Sequence, residues 1–339
     1  MSVDETEPAA VGDLPGRRRL VVLVVGAVFW TWLLTRWIYH NAALDRIFST
    51  LGLPGLIRSE VPVRDREPWL SPEPFASAAD SVASFGHGSG LPEVATGWLV
   101  WLCDLLAFSI ESAPALAEGA YVTVYLTVVS ILLGLAIAVP LSVARVYGGT
   151  VLGRLSLAYT ELIRGTPLLA QLFLLYYGLP LASVIESLGF VGSGWVPGPA
   201  AFVAIVGFTI NSSAYQSEYI RSALQSVDEK QLVAARSVGL SKWAGIRHVV
   251  LPQGLRYAIP GWTNEFVYLI KYSSLAAFIT VSELFGRAEN IVTDTFRTTD
   301  VYVILALFYL ALVLTTALAM ERVAASVAIP GVGQPDGDR

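Results

Sequence analysis

Of the 339 residues, 54% are hydrophobic and only 14% are charged, and the formal net charge is −5. Soluble domains carry about 25% charged residues, so this deficit argues against a soluble fold and for a polytopic membrane protein. The single cysteine, Cys103, rules out an internal disulfide, the three histidines (His40, His87, His248) have no metal-ligand spacing, and no P-loop sequence is present to cradle a phosphate.

In chain order, Arg17, Arg18 and Arg19 precede an uncharged run over 20–35 that extends through Trp37, Ile38 and Tyr39. That length lets a helix cross a hydrocarbon core. A cleaved signal peptide also starts with basic and then apolar residues, but this run is long for that role and no A-x-A site follows. Residues 20–39 are therefore expected as a retained span, with 1–19 a cytoplasmic tail behind the three arginines.

Residues 40–114 are expected outside as a loop or irregular cap, because six prolines fall between Pro54 and Pro92 among mixed charges. The apolar stretch 98–110 is broken by Asp104 and is too short to span. An interfacial helix with Trp98 and Trp101 at the headgroups fits it.

Five further apolar runs follow, at 119–144, 157–185, 200–217, 257–282 and 301–320, before a polar tail over 326–339. Alternation from a cytoplasmic amino terminus gives six spans, with cytoplasmic loops at 145–156 and 221–256 and a cytoplasmic carboxyl terminus. Arg221, Lys230, Arg236, Lys242, Arg247 and Arg256 in the second loop agree with the positive-inside rule. Three lysines against nineteen arginines, together with acidic ends, suit a salt-rich cytoplasm, although high genomic GC content produces the same bias.

The segment 226–252, SVDEKQLVAARSVGLSKWAGIRHVVLP, predicts two short helices. Ser226 with Glu229, or Asp228 with Gln231, offers a capping box. Gly239 suits the left-handed residue after the first helix, Ser241 caps the second, and Pro252 ends the regular pattern. A DNA-binding helix-turn-helix has similar small residues and a turn glycine, but it needs a basic recognition helix on a soluble domain. This unit sits between two spans, so no nucleic-acid partner is expected.

The segment also resembles the cytoplasmic loop of ABC importer permeases, where E-A-A is followed four residues later by glycine, then by isoleucine and Leu-Pro. The matching residues are Ala234, Ala235, Gly239, Ile246, Leu251 and Pro252, with Leu240 after the glycine; Val233 stands where the family has glutamate. Residues 161–180, ELIRGTPLLAQLFLLYYGLP, are similar to the E-x-x-R-G-T-P-L-L-x-Q block of the polar amino acid permeases. Asn264, Glu265 and Phe266, then Leu269, Lys271, Ser274 and Leu275, are similar to a second block, with Tyr272 and Ser273 where that family has Asp-Thr.

The resemblance covers 115–325. It implies an all-α type I permease core of five helices, to which this chain adds one amino-terminal transmembrane helix. It implies a cell-membrane importer subunit for a polar amino acid, with no enzyme activity or cofactor of its own. ATP and Mg would be bound by two copies of a partner ATPase that docks on the loop, with Ala235 and Gly239 on the docking surface because they lack bulk. An extracytoplasmic solute-binding protein and a second permease subunit, identical or paralogous, are also implied.

Charged groups inside a span cost about 2.5–3.5 kcal/mol on insertion scales, so those present are candidates for function. Glu161 and Arg164 are placed to pair at i, i+3. Glu265 and Lys271, six residues apart, point to different sides of a helix. Asn211, Tyr215 and Glu218 crowd the end of another span, where polar residues serve either as glue between helices or as pathway lining, and Asn264 and Ser274 join this candidate set. An ion-driven transporter would show inverted repeats, and a membrane enzyme would need a nucleophile or metal set; neither is evident in the sequence.

Overall fold

The computed structural model describes residues 16–53, 55–89, 93–187, 191 and 198–327, and all its regular elements are helical. Of the tails expected at 1–19 and 326–339, residues 1–15 and 328–339 lie outside the described residues, while 16–19 and 326–327 belong to helices. Helix α1 covers Gly16–Tyr39. The cap is more regular than its prolines suggest, with α2 over Ala42–Thr50 and α3 over Glu73–Ser89. Pro74 falls in the first turn of α3, where a missing N–H costs no helix bond.

Helix α4 runs unbroken over Glu93–Tyr147, 55 residues. At 1.5 Å per residue it is about 80 Å long, against a hydrocarbon core of about 30 Å. The separate helix expected at 98–110 is therefore a correction: those residues are the overhanging start of α4. Asp104, the charge that interrupts the apolar run, lies within the helix and pairs with Arg297 at 2.6 Å.

The loop expected at 145–156 shrinks to a turn at Gly148, and α5 follows over Gly149–Arg164. The run 157–185 is not one span. Gly165 and Pro167 separate α5 from α6, Leu168–Phe173; a π-turn over Leu174–Gly178 and Pro180 precede α7, Leu181–Glu186. Then come α8, Pro199–Gln225; α9, Glu229–Ser237; α10, Lys242–Gly245; a π-turn over Ile246–Val250; and α11, Leu251–Tyr257. Helix α12 covers Ile259–Tyr272 and tightens to a 3-10 helix over Ser273–Ile279. Thr280 takes a left-handed φ of 69°, and α13, Leu284–Thr295, leaves at a bend of 52°. Helix α14 covers Thr298–Val327.

Of the six expected spans, three are single helices long and apolar enough to cross a membrane (in α1, α4 and α14), and α12 and α13 reach that length and apolarity only when taken together across their bend. Helix α8 has the length, with 27 residues, but one stripe of it is polar. The stripe packs inward. Gln216 Nε2 donates to Ile131 O at 3.1 Å, and Ser142 Oγ donates to Ser217 O at 3.0 Å. A Cβ on Gly134 would meet Gln216 Nε2 at 2.8 Å, so the α4–α8 crossing depends on that glycine. Lipid supplies no hydrophobic drive between helices, and close approach with interhelical hydrogen bonds takes its place.

The extra helix is packed, not loosely appended. Leu33 of α1 is fully buried with Leu116, Leu284 and Leu312. Trp30 Nε1 donates to Thr315 Oγ1 at 2.7 Å, and Trp37 Nε1 donates to Ala117 O at 2.7 Å.

Candidate functional site

The 226–252 segment is held by local chemistry at each corner. Asp228 is the N-cap of α9, its Oδ1 accepting from Lys230 N at 2.9 Å. Ser226 instead closes the helix before it, donating to Ala223 O at 2.8 Å. At the end of α9, Leu240 N donates to Ala235 O at 3.2 Å and Gly239 N to Arg236 O at 3.0 Å. This is the paired bonding of a Schellman turn, and Gly239 has the left-handed φ it requires, 92°. Ser241 Oγ then accepts from Ala244 N at 3.2 Å to start α10.

Pro252 does not end the pattern. It lacks the N–H that an α-helix would use, and the chain widens to a π-turn over Ile246–Val250 before continuing as α11 with Pro252 in its first turn. Ile246 is buried, while Leu251 is partly buried and Pro252 exposed.

Burial divides the segment. Ala235 is only 5% exposed. A Cβ on Gly245 would stand 3.3 Å from its Cβ and 2.8 Å from Leu232 Cδ1, so Ala235 lies between α9 and α10. The expectation that Ala235 faces a partner is corrected: its small size serves packing inside the loop. Gly239 meets nothing within 4 Å and is open. The outward apolar residues are Val233 at 66%, Val238 at 78% and Trp243 at 57% exposure, with Leu240 at 37% and Ala234 also exposed. Sequence reasoning passed over Val238 and Trp243; bulky apolar residues in a loop otherwise rich in charge were the available signal. Lys242 Nζ donates to Tyr147 O at 3.1 Å and ties the tip to the end of α4.

The intramembrane candidates separate into two groups. Asn211 is buried and donates to Gln171 Oε1 at 3.3 Å, and Gln171 Nε2 donates to Ile163 O at 2.7 Å, stitching α5, α6 and α8. Glu218 pairs with Arg221 at 2.9 Å. Glu265 is buried beside Ser212. Glu161, Arg164, Asn264 and Lys271 are exposed. Glu161 and Arg164 form no ion pair: the Arg164 guanidinium lies 5.2 Å from the Tyr215 ring centroid instead. Lys271 Nζ sits 4.8 Å from the Tyr268 ring, and Ser274 Oγ donates to Lys271 O at 2.8 Å.

Glu283, absent from the candidate set, is the most fully engaged carboxylate among the described residues. It is 0% exposed, caps α13 by accepting from Phe285 N and Gly286 N at 3.0 and 2.9 Å, and accepts from Thr123 Oγ1 and Tyr309 OH at 3.1 Å each. One side chain thus joins α4, α13 and α14.

Residues 121–329, more than half of the chain, match the family described as binding-protein-dependent transport system inner membrane component. The nopaline transport system permease protein NocM of Agrobacterium fabrum is 37% identical over 202 residues, covering 59% of this chain and 83% of that protein. The glutamine transport system permease protein GlnP of Escherichia coli is 34% identical over 209 residues, covering 62% and 91%. The crystal structure of an amino acid ABC transporter with histidines aligns with a TM-score of 0.54 and 30% identity, covering 63% of this chain and 94% of that one. The chain belongs to the binding-protein-dependent transport system inner membrane components, among the amino acid permeases of ABC importers.

Proposed function

We propose that this subunit carries a polar amino acid across the cell membrane, and that the exposed apolar tip of its 226–252 loop drives that step by docking on a separate ATPase. The observation behind this reading is the contrast within the loop. Its inner face (Ala235, Gly245, Ile246) is packed, while Val233, Val238, Leu240 and Trp243 project from a braced knob. A rigid apolar knob transmits motion of its socket; a loose loop would absorb it. The ATPase, in two copies, supplies the ATP and Mg sites. A solute-binding protein delivers the substrate outside, and both termini are cytoplasmic.

The exposed polar side chains Glu161 and Arg164 of α5 and Asn264 and Lys271 of α12 support a second permease subunit, identical or paralogous, because charged side chains left toward lipid are costly. Between two subunits they would line a wet path. The experiment is reconstitution of this chain with its ATPase and binding protein in vesicles, followed by uptake of labelled amino acids. ATP-dependent uptake of a polar amino acid supports the reading. Uptake driven by an ion gradient without ATP refutes it.

A further inference from the structure

Arg36 ends the apolar stretch of α1 and is 3% exposed. Its Nη1 donates to Glu67 O at 3.1 Å, and its guanidinium lies 5.1 Å from the Trp69 ring centroid. Its buried Nη2 has no acceptor among the described residues. The surroundings add positive charge. Arg66, near enough to repel Arg36, pairs with Glu118 at 2.8 Å. Arg287 is near enough to attract the same Glu118, and its buried Nε is likewise without an acceptor among the described residues. Arg66 and Arg287 thus share Glu118, and no carboxylate pairs with the Arg36 guanidinium among the described residues. A buried cation with an unused donor is costly unless an anion meets it.

Arg36 also lines one end of an apolar groove of about 680 Å³, walled by Val25 and Phe29 of α1, Ile110 of α4, and Leu307 and Ala311 of α14. From Val25 to Arg36 the helix rises about 16 Å, roughly half of a 30 Å hydrocarbon core, or one leaflet. The outward side of α1 is aliphatic and exposed, with Val21, Val24, Val25 and Val28 all more than half accessible, as suits a lipid-facing helix. A free anion would use the arginine but not the groove, and a neutral chain would use the groove but not the arginine.

We propose that this groove holds one anionic phospholipid, its acyl chain along α1 and α14 and its phosphodiester on Arg36. With Arg36 at the carboxyl-terminal end of α1, the lipid lies in the outer leaflet; that placement rests on the cytoplasmic amino terminus proposed above, and the site itself does not. The bound lipid would seal the extra helix to the permease core and satisfy the free guanidinium nitrogen with charge-assisted hydrogen bonds.

Native mass spectrometry of the delipidated full-length chain, titrated separately with phosphatidylglycerol and phosphatidylcholine, tests this. One phosphatidylglycerol adduct is expected, preferred over phosphatidylcholine by about tenfold or more. Arg36→Gln should abolish the preference. Ala311→Phe, which fills the groove without touching the cation, should weaken both lipids while the chain melts as the wild type does. Equal phosphatidylglycerol adducts in the wild type and both variants would overturn the proposal. So would unchanged binding in Ala311→Phe, or displacement of the lipid by millimolar inorganic phosphate, either of which would indicate a simple anion site.

Discussion

Ala235 and Gly245 lie face to face where α9 and α10 meet, with the Ala235 Cβ only 3.3 Å from where a Gly245 Cβ would stand. This contact sets the angle between the arms of the loop and so the direction in which the apolar tip points. Ala235→Leu should therefore act by overpacking, at a cost of about 1–3 kcal/mol. The loop should become protease-sensitive while the chain still inserts, and retention of the ATPase should fall with it. Limited proteolysis alongside co-purification separates this from a docking defect, which would leave the loop resistant.

Gly239 gives a sharper comparison, because its φ of 92° is unfavourable for most side chains and the space around it is open. Gly239→Asn should be nearly silent. Gly239→Val should cost about 1 kcal/mol or more through backbone strain alone. Thermal unfolding of the two variants in the same detergent measures the difference, and equal melting temperatures would show that the turn does not need its glycine.

Glu283 supports a stability prediction. Replacing it with alanine strands two backbone N–H groups at the start of α13 and the hydroxyls of Thr123 and Tyr309. Each buried donor left unmade costs about 1–3 kcal/mol. Glu283→Ala should lower the melting temperature by far more than Tyr309→Phe, which removes one donor of the four. Similar losses in the two variants would mean the helix cap is not the main contribution.

Topology is tested on exposed positions. In a Cys103→Ser background, cysteine at Ser84 should react with an impermeant thiol reagent on intact cells, and cysteine at Ser237 only after the membranes are opened. Both serines are exposed, so access is set by the membrane. The reverse pattern would invert the chain.

The parts of this structure legible in the sequence are those set by local rules. The run 20–39, the left-handed turn at Gly239 and the Ser241 cap each follow from a few adjacent residues. What escaped depends on partners far along the chain. Asp104 interrupts the apolar stretch 98–110 in the sequence, yet it lies inside α4 and pairs with Arg297, 193 residues later. The Glu161–Arg164 spacing permitted an ion pair, but the Tyr215 ring, on another helix, took the guanidinium. Ala235 was placed in the right segment and on the wrong face, because a small residue signals close packing without saying against what.

The proposed function stands on docking of the apolar tip of the 226–252 loop on an ATPase. The most direct measurement is cysteine cross-linking from Val238 and from Trp243, each in the Cys103→Ser background, to the ATPase in the assembled complex with and without ATP. Adducts are expected from both tip positions, with yields that change with nucleotide, and none from Ser84. No adduct from either tip position in any nucleotide state, in a complex that still transports, would contradict it.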